Sequence, residues 1–170
     1  LLGSLDVDTG QVWILSTILG VSAAWAVSRY AFPGRELVVK LLYLPLAIPT
    51  YIMAYAYVGF LGNGGTLVRI EEMIGLSPRG IDFMNLGGLI WVLALSLYPY
   101  VYASCRVAFS GLPASLRSAS ALLGASGLRY FFTVALPLAT PAIVGGVFLV
   151  TMEVLNDYGA AKYYGINTFT

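Results

Sequence analysis

An all-α, polytopic membrane helical bundle is the fold class this sequence predicts, and three observations predict it. Of 170 residues, 59% are hydrophobic and only 10% are charged, whereas a soluble domain carries about 25% charged residues. Four apolar stretches, 11–30, 37–61, 86–109 and 136–157, read as transmembrane helices, each near the roughly 20 residues that a bilayer demands. Between the last two lies 112–135, which is too polar to be another span and is patterned at helical spacing.

The same composition excludes several functions. A net charge of +1 offers no basic field for nucleic acid. The single cysteine, Cys105, builds neither a disulfide framework nor a zinc site. Histidine is absent, which removes the usual general base and the commonest metal ligand. No Gly-rich run precedes Lys-Ser or Lys-Thr, so any ATP hydrolysis falls to another subunit. No catalytic residue, cofactor or metal site is expected. Position 1 is Leu and no signal peptide is visible. The chain reads as a single transmembrane domain over 1–170, expected to be a fragment of a longer protein.

The first span, 11–30, carries Ser16, Gly20, Ser22, Ala23 and Ala24, small residues that let helices approach closely. Phe32-Pro33-Gly34-Arg35 ends it. In the second, 37–61, Lys40 can snorkel to the surface, and Pro45 and Pro49 each remove a backbone hydrogen bond, predicting kinks. Gly62-Asn63-Gly64-Gly65 makes a loop, and Thr66–Ile74 predicts a short surface helix ended by Gly75. The third span, 86–109, contains Pro99.

The amphipathic segment follows. Pro113 suits a first helical turn, and Leu112, Leu116, Ala119 and Leu123 give that helix one apolar edge. Gly124 suits a left-handed helix end. Ser126 suits the cap of a second helix, with Leu128, Phe131, Phe132 and Ala135 as its stripe. Leu136-Pro137 is expected to turn the chain into the fourth span. Two short helices joined by a glycine elbow result.

Orientation follows from the basic residues. Arg29, Arg35, Lys40, Arg106, Arg117 and Arg129 gather on one side. The other side has Arg69, Arg79 and Lys162 against Asp6, Asp8, Glu71, Glu72, Asp82 and Asp157. The first set is expected in the cytoplasm, and the elbow with it.

Glu153, Asn156 and Asp157 fall at i, i+3 and i+4, on one face of the fourth span. Counting about 1.5 Å per residue from Pro137 puts Glu153 roughly 24 Å up, towards the outer side. A carboxylate at that depth has to face protein or water. Two readings stand: a gate or pathway lining that a cation meets, or a helix-end carboxylate paired with an arginine or the backbone. Tyr51, Tyr55, Tyr57, Tyr98, Tyr100 and Tyr102 read as packing and interhelical hydrogen-bonding groups, not as phenolate ligands.

Ser118-Ala119-Ser120, then Gly124, then Val134-x-Leu136-Pro137 resembles the coupling loop of ABC-importer permeases, E-A-A, three residues, G, nine residues, I-x-L-P. Serine stands for the glutamate, and Ser120 for the second alanine. The resemblance implies that Leu116, Ser118, Ala119, Ser120, Gly124, Leu136 and Pro137 belong to a loop docking into a groove on an ATPase subunit. Further stretches are similar to the first half of ferric-iron-type permeases: 28–35, Leu44-Pro45-Leu46-Ala47-Ile48-Pro49-Thr50-Tyr51, Leu97-Tyr98-Pro99-Tyr100-Val101-Tyr102 and Met152-Glu153-Val154-Leu155-Asn156-Asp157-Tyr158-Gly159.

That likeness implies a multi-pass protein of a bacterial or archaeal inner membrane, working by alternating access. It implies three partners: a cytoplasmic ABC ATPase subunit, an extracellular or periplasmic solute-binding protein and a second permease half. Ferric iron is the expected cargo, ahead of thiamine, polyamine or sulfate. The competing class, part of a secondary transporter or a membrane scaffold, has no reason to hold two cytosolic amphipathic helices at this spacing.

Overall fold

The computed structural model describes residues 2–62, 64–75 and 85–156, with side chains from Gly10 on. Asn63, Arg79, Asp82, Asp157 and Lys162, and the side chains of Asp6 and Asp8, lie outside what is described. The described residues form an all-α bundle. In chain order, α1 is Leu2–Arg29, α2 is Arg35–Leu41, a 3₁₀ turn is Leu44–Ala47 and α3 is Thr50–Leu61. Next, α4 is Thr66–Met73, α5 is Leu86–Ser110, α6 is Ala114–Leu122 and α7 is Gly127–Tyr130. A π-helical turn over Phe131–Ala135 leads into α8, Leu136–Asn156.

Three stretches among the described residues are long and apolar enough to cross a membrane: Gly10–Arg29, Leu86–Ser110 and Gly127–Asn156. The second apolar stretch differs from its expectation. The predicted continuous span over 37–61 is instead α2 and α3, parts of a helical pair bent by 102°. Two prolines four residues apart explain the break. Each lacks an N–H, and each biases the residue before it away from helical geometry. Ile48, before Pro49, is extended at φ −112° and ψ 122°. A kink therefore became a corner.

The centre of the bundle is α5, which packs against α1, α8, α3 and the 3₁₀ turn. On α1, Val12, Ser16, Gly20, Ala24 and Val27 are buried along one face. Ser16 hides its polarity by donating to Val12 O at 2.7 Å. Gly20 is packed so closely that a Cβ there would lie 2.7 Å from Val101 Cβ and 2.8 Å from Tyr102 N. From the opposite side, a Cβ on Gly146 of α8 would lie 2.8 Å from Val101 Cα. Val101 is fully buried between these two glycines. With no hydrophobic drive between helices in lipid, such contact is what holds the three together.

The corner in the second stretch is held in part by two of the tyrosines expected to pack and hydrogen-bond between helices, Tyr98 and Tyr102. Tyr98 of α5 donates its hydroxyl to Leu42 O at 3.1 Å, satisfying a carbonyl where α2 ends. Tyr43 meets Tyr102 edge to face at 5.0 Å. Arg35 donates through Nε to Val27 O at 2.6 Å, capping the end of α1 across the intervening turn.

Candidate functional site

The amphipathic segment is a helix, an elbow and a helix that does not stop. Pro113 stands at the N-cap of α6, just before Ala114. At its other end Gly124 N donates to Ala121 O at 3.0 Å, and Ala125 N donates to Ser120 O at 2.8 Å. That pair of bonds is a Schellman closure, which requires a left-handed residue. Gly124 supplies it with φ +79°. Space is not the reason for glycine here, since a Cβ would meet nothing within 4 Å.

The apolar edge expected on α6 is divided. Leu112 and Leu116 are half-buried, and Ser120 is buried beside them. Ala119 and Leu123 face outward instead. The side chain that continues the inward face, four residues beyond Leu116, is therefore a serine. Ser120 tolerates this by donating to Leu116 O at 2.7 Å. Ser118 is exposed and donates to Ala114 O at 3.2 Å. Around the elbow Leu122 is 89% exposed, Leu123 85% and Leu128 72%, so the tip presents bare leucine.

The second helix also departs from expectation. Ser126 occupies the N-cap of α7, yet its side chain makes no capping bond. Leu136-Pro137 does not turn the chain. The helix widens through Phe131–Ala135 and runs on into α8, giving one 30-residue stretch from Gly127 to Asn156. Pro137 lacks the N–H of a regular helix and its ring crowds the turn before it. Widening the preceding turn to an i→i+5 pattern lets the helix continue past that proline. Leu136 is half-buried and Pro137 exposed. The fourth span thus begins inside the segment read as 112–135, and the elbow is tied directly to a transmembrane helix.

An aromatic cluster anchors the elbow to the bundle. Trp25 of α1 lies 5.4 Å from Phe109 of α5, 4.8 Å from Phe131 and 6.1 Å from Tyr130, ring centre to ring centre. These rings join the ends of α1, α5 and α7 at one level. Sequence reasoning placed Phe131 on a stripe but missed the cluster. Its signal was an aromatic residue near the same end of each apolar stretch.

At the far end of α8, Glu153 accepts a hydrogen bond from Tyr100 Oη at 2.9 Å. Glu153 and Asn156 are exposed on the described bundle, while Asp157 lies outside it. The carboxylate is thereby tethered to α5 rather than free. Among the described residues, no three His, Cys, Asp or Glu side chains gather around one point.

A model of the family described as "Binding-protein-dependent transport system inner membrane component" matches residues 16–170. The chain belongs to that family. It is a permease component of ABC importers, an inner-membrane transport subunit and not an enzyme. The molybdenum transport system permease protein ModB of Escherichia coli K12 is 30% identical over 158 residues, covering 92% of this chain and 67% of that one. The probable sulfate transport system permease cysT of Chlorokybus atmophyticus is 29% identical, covering 91% and 52%. The sulfate transport system permease CysW of E. coli K12 is also 29% identical, covering 87% and 50%. The chain therefore spans about two thirds of this molybdenum permease's length and about half of these sulfate permeases' length. These relatives lend no support to ferric iron as the cargo.

Proposed function

We propose that this permease domain moves a tetrahedral oxyanion of the molybdate or sulfate kind inward, by alternating access, in a binding-protein-dependent importer. The relatives named for molybdenum and sulfate support that cargo, and sulfate was among the alternatives raised by the sequence. The full-length protein works with a cytoplasmic ATPase subunit, an external solute-binding protein and a second permease half. One observation carries the coupling role: the leucine tip at Leu122, Leu123 and Leu128, set by Gly124 and rooted through Trp25, Phe109 and Phe131 in the spans. A groove on the ATPase closes over such a tip, and its movement passes into α8 through the unbroken Gly127–Asn156 helix. Because a carboxylate repels an oxyanion, Glu153 serves in this reading as a gate contact between α8 and α5, held by Tyr100, and not as a contact of the cargo.

Cells lacking their own sulfate and molybdate permeases, given the full-length protein with its ATPase and binding protein, are expected to take up labelled sulfate or molybdate. Uptake of ferric iron with neither oxyanion would overturn the cargo. Orientation is tested separately with an impermeant thiol reagent on intact spheroplasts. Met73→Cys, at the exposed end of α4, should be labelled, and Leu122→Cys should not. Labelling of Leu122→Cys alone would invert the topology.

A further inference from the structure

Two hollows flank one strip of α1. The first encloses about 220 Å³ at the end of the bundle that carries the elbow, between Ser28, Arg29, Phe109, Pro113, Arg117 and Tyr130. The second is a lateral groove of about 690 Å³ whose walls are mainly apolar, among them Ile18, Val21, Phe131, Leu136 and Ile143. Trp25 lines both. Ile18, Ser22, Trp25 and Arg29 follow at helical spacing, so groove and cavity succeed one another along a single face of α1.

The cavity is chemically suited to an anion. No acidic residue lines it, and two arginines do. Among the described residues, neither Arg29 nor Arg117 is in an ion pair. Arg29 lies over the Tyr30 ring, its guanidinium carbon 5.7 Å from the ring centre. Ser28 adds a separate observation. Its hydroxyl is buried with no partner, although Ser16 and Ser22 on the same helix both donate to carbonyls one turn back. A buried hydroxyl without a partner is costly. An oxyanion in the cavity would accept from the two guanidinium forks, the geometry to which arginine is matched, and the Ser28 hydroxyl, closed to solvent as it stands, would have to turn to reach it.

We propose that this cavity binds a tetrahedral oxyanion, the phosphate diester of an anionic phospholipid, whose acyl chain lies in the groove beyond Trp25. Free inorganic phosphate shares the headgroup chemistry. The apolar groove continuing from the cavity favours the lipid, and at about 220 Å³ the cavity holds a headgroup and not a whole lipid. Basic pockets between spans on the cytoplasmic side are suited to anionic headgroups. Because Arg29 is on α1 and Arg117 is on α6, one phosphate would tie the docking segment to the first span. Membrane composition then sets how firmly the elbow is seated.

The test uses the full-length permease purified with its ATPase, followed by native mass spectrometry with phosphatidylglycerol or phosphatidylcholine added. The wild type is expected to retain phosphatidylglycerol with a preference on the order of tenfold or more, two arginines acting together. Arg29→Gln with Arg117→Gln should abolish that preference, while Arg129→Gln, outside the cavity, should keep it. An equal preference in the double variant, or an equal loss in Arg129→Gln, overturns the site. A second arm adds inorganic phosphate to protein in phosphatidylcholine micelles and reads thermal stability. Phosphate stabilisation that Arg29→Gln with Arg117→Gln removes, without lipid preference, assigns a free anion as the source. Neither lipid preference nor phosphate stabilisation overturns the proposal. Lipid retention does not depend on ATPase docking, so its failure leaves the coupling role standing.

Discussion

Two glycine-centred regions of this permease use the same residue for opposite reasons. At the α1–α5–α8 contact, Gly20 and Gly146 are glycine because there is no room: a Cβ on Gly20 would come within 2.9 Å of three atoms of α5. At the elbow, Gly124 has open space around it and is glycine because φ is +79°. The first region sets whether the spans assemble. The second, in the proposed coupling role, sets the angle at which an assembled permease presents its leucine tip. On that proposal stability and coupling are separable, and substitutions at the two places should fail in different ways.

The largest effect is expected at the crowded site. Two of the three atoms nearest a Cβ on Gly20 are α5 backbone, Tyr102 N at 2.8 Å and Tyr98 O at 2.9 Å, so no side-chain rotation relieves the clash. Gly20→Val forces α1 and α5 apart, at a cost of at least the roughly 1–3 kcal/mol typical of overpacking. Thermal unfolding of the purified protein in detergent should show a lowered midpoint or no folded protein. An unchanged midpoint would mean that the close contact is not what holds these helices.

A smaller effect is expected at the tether between α5 and α8. Tyr100→Phe removes one hydrogen bond to Glu153, worth about 0.6 kcal/mol for an average interhelical pair in a membrane. Thermal unfolding should barely move. Uptake by the full-length protein sharpens the contrast, because Glu153→Gln should reduce transport while ATPase co-purification stays intact. Normal uptake by Glu153→Gln would leave that carboxylate only a packing role.

How much of this could be read from residues alone varied with the range of the interaction. Local signals carried well. Pro113 preceded α6 and Gly124 ended it, and of the five small residues singled out on α1, Ser16, Gly20 and Ala24 are buried in the contact while Ala23 is half-buried and Ser22 exposed. Features needing knowledge of a neighbour carried less well, although Tyr98 and Tyr100 do hydrogen-bond between helices as expected. Pro45 and Pro49 predicted kinks, but not a 102° corner, against which Tyr98 and Tyr102 of α5 pack and bond. Leu136-Pro137 looked like a stop, yet the widened turn before it carries the helix past the proline. The outward turn of Ala119 and Leu123 was hidden for a different reason. Periodicity finds a stripe but not the neighbour that will cover it, and here the covered side includes Ser120.

The central claim is that the Gly124 elbow is the docking element, and co-purification of the ATPase with the full-length permease in detergent tests it most directly. At φ +79° a β-branched side chain is strained by about 1–3 kcal/mol, which the surrounding spans do not share. Gly124→Val should therefore give a folded, membrane-inserted permease that no longer retains its ATPase. Gly124→Asn, whose side chain tolerates the left-handed region, should retain most of it. Ser118→Ala should retain nearly all, since Ser118 bonds only to its own helix. Full ATPase retention by Gly124→Val, with transport unchanged, would contradict the account and place the coupling contact elsewhere.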